Sequence, residues 1–123
     1  NLSREFKFHR KQAMQLLSKM RFISAQFLGY LEDDVWKENA SHANKMGQYL
    51  REGLEGIKEV KLMEDMKTNM VFAEVDKKIL EELQDEFGFY LVDKKTNKIR
   101  LVTSFDTEKE DIDKFIEAIK NLY

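Results

Sequence analysis

Along the first quarter of the chain, apolar residues return at a helical period. Phe6, Met14, Leu17, Met20, Ile23, Phe27 and Leu31 follow it, and a spacing of about 3.6 residues marks an amphipathic helix. The spacing predicts one long helix over residues 2–32, with Arg4, Lys7, His9, Arg10, Lys11 and Lys19 filling much of its other surface. Ala13, Leu16 and Leu28 widen the stripe, so this helix meets more than one neighbour. Gly29 weakens its last turns without ending them. Asp33 and Asp34 suit the start of a second helix, where carboxylates meet exposed N–H groups. That helix would run from Val35 to about Glu55. Its apolar face is Val35, Trp36, Ala40, Ala43, Met46, Tyr49, Leu50 and Leu54. Gly53 and Gly56 end it.

Beyond Gly56 the period shortens. In Glu59–Met63, Val60 and Leu62 alternate with polar neighbours, as in a half-buried strand. Asn69–Val75 is more continuously apolar and reads as a central strand. Asp76 caps a helix through Ile79, Leu80 and Leu83 that ends near Gly88. Phe89–Val92 and Ile99–Thr103 read as strands around a turn at Thr96-Asn97. Thr107 and Glu110 have the spacing of a capping box for a last helix that buries Ile112, Phe115, Ile116 and Ile119. The fold class is therefore α+β: long N-terminal helices, then a small, largely antiparallel sheet covered by helices on one face. The first helix is out of proportion to so small a sheet, which calls for a further domain or a second subunit to cover it.

Composition narrows the chemistry. The chain has 123 residues, with Lys and Arg numbering 21 and Asp and Glu 23. Without a basic excess, a nucleic-acid partner is not expected. No apolar run approaches the roughly 20 residues of a membrane helix, so no membrane partner is expected either. Cysteine is absent, which removes disulfides and thiolate metal sites and makes the cytoplasm the default compartment. His9 and His42 lie far apart and form no metal-spaced pair. Glu32, Asp33 and Asp34 could do acid–base work or hold a cation, but helix capping is the simpler account. The methionines, Met14, Met20, Met46, Met63, Met66 and Met70, read as core and near-core fillers, and Trp36 as a packing residue with an interface role as the alternative.

Three cations remain. Arg100 lies between Ile99 and Leu101 in a strand, on the opposite face from both. A guanidinium there needs an anion, and its planar fork matches a carboxylate. The plainer reading is an exposed edge arginine. Lys11 and Arg21 stand ten residues apart on the long helix, within about a quarter turn of one face. Arg21 sits among apolar neighbours, where an anionic partner is usual; a solvated face with snorkelling side chains is the alternative.

Three blocks carry a resemblance: RKQAMQLLSKMRFISAQFLGYLEDD (Arg10–Asp34), KTNMVFAEV (Lys67–Val75) and IRLVTSFDTEKEDID (Ile99–Asp113). They resemble the last third of low-specificity threonine aldolases, pyridoxal-phosphate lyases grouped with the β-eliminating lyases. Those enzymes carry Arg-Lys and then Met-Arg, here Arg10-Lys11 and Met20-Arg21. They also carry Thr-Asn before an apolar strand and Arg-x-x-Thr before an acidic last helix, here Thr68-Asn69 and Arg100 to Thr103. Many members have three glycines before Met-Arg, where this chain has Leu17-Ser18-Lys19 and a longer spacing from Lys11 to Arg21.

The resemblance implies the C-terminal small domain of a fold-type I pyridoxal-phosphate enzyme, entered by the long helix over residues 2–32. It implies that Arg100 grips the carboxylate of an amino-acid substrate. It implies that Arg21 reaches the cofactor phosphate and that Lys11 lies near the site entrance. The cofactor lysine, which follows a threonine in the family, has no counterpart, because no Thr-Lys pair occurs here. The whole would cleave L-threonine and similar β-hydroxy-α-amino acids to glycine and an aldehyde, as a homodimer or homotetramer, while this segment alone would be inactive. Two other readings stand beside it. One is a pyridoxal-phosphate lyase that eliminates a β-substituent. The other is a stand-alone module that docks its long helix on a partner.

Overall fold

A computed structural model describes residues 2–63 and 67–123; Met66, expected as a core filler, lies outside them. The chain falls into two compact units, Asn1–Trp36 and Lys37–Tyr123.

The first unit holds helices α1 (Leu2–Gln12) and α2 (Met20–Leu31) and a single helical turn, Glu32–Asp34. The one long helix expected over residues 2–32 is thus two. The break has a clear cause in the backbone. Met14 adopts a left-handed conformation with φ of 55°. The Gln15 N–H then donates to the Arg10 carbonyl at 2.9 Å and the Met14 N–H to the Lys11 carbonyl at 3.1 Å. These are the two bonds of a Schellman stop, with methionine where glycine is the usual residue. Lys11 and Arg21 therefore lie on different helices and do not share a helical face.

Asp33 and Asp34 also take positive φ, 52° and 61°. Aspartate tolerates that region better than most residues. So the acidic triplet makes the turn that precedes α3 (Val35–Leu54). No described residue of Asn1–Trp36 is buried. Phe6, Phe8, Met14, Phe22, Phe27 and Leu28 are each at least 59 % exposed, and Trp36, expected to pack, is 42 % exposed.

The second unit contains the core. After most of α3 come β1 (Val60–Leu62), β2 (Met70–Val75), α4 (Lys77–Phe87), β3 (Tyr90–Asp93), β4 (Lys98–Val102) and α5 (Lys109–Asn121). The strands pair antiparallel in the order β1-β2-β4-β3, with β2 central as expected. The crossover from β2 through α4 to β3 leaves room for β4 between them, a split β-α-β arrangement.

Val71, Ala73, Val75, Ile99 and Leu101 turn to one face of the sheet. There they join Met46, Leu50 and Leu54 of α3, Ile79 and Leu83 of α4, and all four expected residues of α5. Phe115 packs edge-on against Phe87 and Phe89 at 5.1 and 6.1 Å. The helix caps are local. The Asp76 side chain accepts from the Lys78 N–H, and Gly88 ends α4 in the left-handed region. The capping box of α5 sits one residue later than expected. Glu108 and Asp111 form it, while the Thr107 hydroxyl accepts from the Ser104 N–H at 2.9 Å.

The Asp76 cap has a pH signature. The Lys78 N–H, and then the Tyr123 hydroxyl, hold its carboxyl below the ordinary value of 3.8. A group with a lowered folded pKa stabilises above its unfolded value, and that contribution is lost as pH falls through the folded one. Asp76→Ala should lower the thermal midpoint near neutral pH. The gap between the two proteins should shrink as pH drops below 3.8. A gap constant with pH would show that the ionised carboxylate is not what stabilises the cap.

Candidate functional site

α3 meets the end of the sheet at a very close approach. A Cβ on Gly47 would stand 2.6 Å from the Thr68 carbonyl oxygen and 3.0 Å from the Asn69 Cα. Both are backbone atoms and cannot swing aside. The Thr-Asn and Arg-x-x-Thr motifs meet at this point. The Asn69 amide donates to the Thr103 carbonyl at 2.8 Å, and the Thr103 N–H donates to the Asn69 carbonyl at 2.9 Å. The Thr103 hydroxyl, in a residue only 3 % exposed, donates to the Ala43 carbonyl of α3 at 2.7 Å. His42 Nε2 lies 2.9 Å from the Thr107 carbonyl oxygen. The C-terminal end of β4 is thus tied to β2 and to α3, and Arg100 sits three residues before the knot.

Gly47→Ala should therefore destabilise the protein by about 1–3 kcal/mol, the usual penalty of overpacking a tight contact. Chemical denaturation measures it, and an unchanged midpoint would mean that the approach is looser than these distances.

Arg100 lies on the sheet face that the helices leave open. Its neighbours across the strands are Phe72 of β2 and Tyr90 of β3. The guanidinium carbon stands 4.7 Å from the centre of the Tyr90 ring. Phe72 instead receives Lys98, at 5.4 Å. The Arg100 Nε is enclosed and has no hydrogen-bond partner. An enclosed N–H without an acceptor is costly, and the outer edge of a guanidinium fork can pair with an anion. Beside it opens a cleft of about 230 Å³ whose lining includes Tyr90, Arg100, Val102, Thr103 and Thr107. Val102 is half exposed and adds an apolar wall.

Arg21 and Lys11 belong to the first unit, and both are exposed. Arg21 is in the first turn of α2, with Ser18, Lys19, Met20 and Phe22 lining an open depression. Lys19 precedes the helix and gives it no side-chain cap. First-turn N–H groups have no partner inside a helix, and with a nearby guanidinium they suit a phosphate. Lys11 lies in the last turn of α1. Arg100 belongs to the other unit. Tyr90 is the site residue that the sequence reading missed, since the Tyr90–Arg100 contact depends on strand register. Among the described residues no cluster of acidic, histidine or cysteine side chains could hold a metal ion.

No family model matches the chain. Curated relatives do. The low-specificity L-threonine aldolase of Pseudomonas sp. (strain NCIMB 10558) is 37 % identical over 108 residues, 88 % of this chain and 31 % of that protein. The low-specificity L-threonine aldolase of Pseudomonas aeruginosa is 32 % identical over 120 residues, 98 % of this chain and 35 % of that protein. Among solved structures, a threonine aldolase of Leishmania major superposes with a TM-score of 0.69 at 31 % identity, covering 79 % of this chain and 29 % of that one. The chain spans about a third of the length of the curated relatives it matches. Over that third the chain is similar in sequence to low-specificity L-threonine aldolases and in fold to a threonine aldolase.

Proposed function

We propose that the chain is the C-terminal, small-domain part of a pyridoxal-phosphate-dependent aldolase. The whole enzyme would cleave L-threonine and related β-hydroxy-α-amino acids to glycine and an aldehyde. The observation that carries the reading is Arg100: a guanidinium on the open sheet face, lying over the Tyr90 ring and lining the cleft. A substrate carboxylate would take two parallel hydrogen bonds from the outward edge of the guanidinium fork. Holding the carboxylate fixes the orientation of the other bonds at Cα, and so helps decide which one breaks.

Pyridoxal phosphate, when bound, supplies an electron sink for the pair released from the broken bond. The residues present fit its phosphate end. The Arg21 side chain and the Met20 and Arg21 N–H groups at the uncapped start of α2 offer charge and donors together, while the Phe22 N–H is taken by the Lys19 carbonyl. Lys11 would stand near the entrance. The residue that holds the cofactor covalently belongs to the rest of the enzyme, so this segment alone is expected to be inactive.

The partner of the first unit is that remaining part of the enzyme or a second subunit of a homodimer or homotetramer. Large apolar side chains throughout α1 and α2 are exposed, and such surfaces belong in interfaces. The isolated 123-residue segment should therefore self-associate. A monodisperse monomer in sedimentation velocity would count against it. Among the described residues no helix is long and apolar enough to cross a membrane, and a cysteine-free chain suits the cytoplasm.

The decisive experiment is acetaldehyde release from L-threonine by the full-length protein with pyridoxal phosphate. Release supports the aldolase. Cofactor binding without release would move the chemistry to β-elimination on the same scaffold.

A further inference from the structure

The Arg100 guanidinium has two different surfaces to offer. Its flat face attracts the negative face of an aromatic ring, while its N–H bonds lie in the plane and point outward. A ring on the face therefore takes nothing from the hydrogen-bonding edge. Tyr90 lies directly across from Arg100 in the β3–β4 pairing, with its ring 4.7 Å from the guanidinium carbon. It is 63 % exposed, so it contributes little to the core. Phe72, the cross-strand neighbour on the other side, is in contact with Lys98 instead. Among the described residues, Tyr90 is the ring that lies against the Arg100 guanidinium. The same two residues also line the cleft.

We propose that Tyr90 is a positioning residue for Arg100: its ring sets the plane of the guanidinium and aims the N–H fork at the substrate carboxylate. The proposal rests on the reading of Arg100 as the carboxylate-binding arginine and adds the residue that orients it. A flexible arginine would spend part of its time in other rotamers, and each one lost on binding weakens the complex. Stacking removes that freedom beforehand. The aromatic face does the work, so phenylalanine should replace tyrosine and a branched aliphatic residue of similar bulk should not.

The test uses the full-length protein with Arg100→Ala, Tyr90→Phe and Tyr90→Leu, and L-threonine as substrate. Tyr90→Leu should raise KM about 2- to 5-fold, the range a cation–π contact at an exposed site supplies, with kcat nearly unchanged. Tyr90→Phe should stay near the parent. Neither substitution should move the thermal midpoint, since Tyr90 is exposed. If Tyr90→Leu matches the parent while Arg100→Ala raises KM, the positioning role is overturned and the carboxylate-binding reading survives. If Tyr90→Phe loses as much as Tyr90→Leu, the hydroxyl and not the ring is at work, and stacking is overturned. If Arg100→Ala itself leaves KM unchanged, the underlying reading falls and the proposal with it.

Discussion

Replacing Arg100 with alanine in the full-length protein should lower kcat/KM for L-threonine by about 10- to 150-fold. The figure follows from the roughly 1.5–3 kcal/mol that hydrogen bonds to a charged group contribute. Arg100→Lys should fall between, because an ammonium keeps the charge but not the planar fork. Stability should hardly change. Arg100 is on the open face, and its Nε has no partner in the protein to lose. Steady-state kinetics beside a thermal melt separate the two effects. Normal kinetics on L-threonine in the alanine variant would remove Arg100 from the site.

Its neighbour should behave in the opposite way. Ile99 is 1 % exposed and is among the largest fully buried side chains of the core. Truncating it to alanine removes buried apolar volume and leaves a cavity, at a cost of about 2–5 kcal/mol. That is a large share of the stability of an ordinary domain, roughly 5–15 kcal/mol. Ile99→Ala should therefore shift the denaturant midpoint strongly. The molecules that remain folded should bind L-threonine with a KM near that of the parent. A midpoint close to the parent would mean that Ile99 is not part of a tightly packed interior.

The contrast explains what was legible beforehand. Period-two alternation in β4 placed Ile99 and Leu101 inward and Arg100 outward, and the structure agrees. The apolar spacing of α5 named its buried residues, because that signal is local and the helix has a single wet side. The cap at Asp76 and the stop at Gly88 were equally local. The break at Met14 was not legible, because a left-handed stop announces itself through glycine and here the residue is methionine. Nothing local in the sequence marks Gly47; its reason is the backbone at Thr68 and Asn69, which lies distant in sequence and close in space.

Tyr90 was hidden by a subtler effect. Counting back from the Asp93↔Lys98 pair would set Leu91 opposite Arg100. An irregularity between Leu91 and Asp93 shifts the register by one and brings Tyr90 there instead. A bulge of that kind is written in the geometry of the hairpin and not in the pattern of residues.

The alternation along β4 also sets how this strand can change over generations. Ile99 and Leu101 answer to the helices behind them, so drift there is limited to side chains of similar volume whatever the enzyme acts on. Lys98, Arg100 and Val102 answer to whatever lies in front. A lineage that took up a new substrate could rewrite those three positions while leaving the other two untouched. One short strand thus carries two histories side by side, one paced by folding and the other by chemistry.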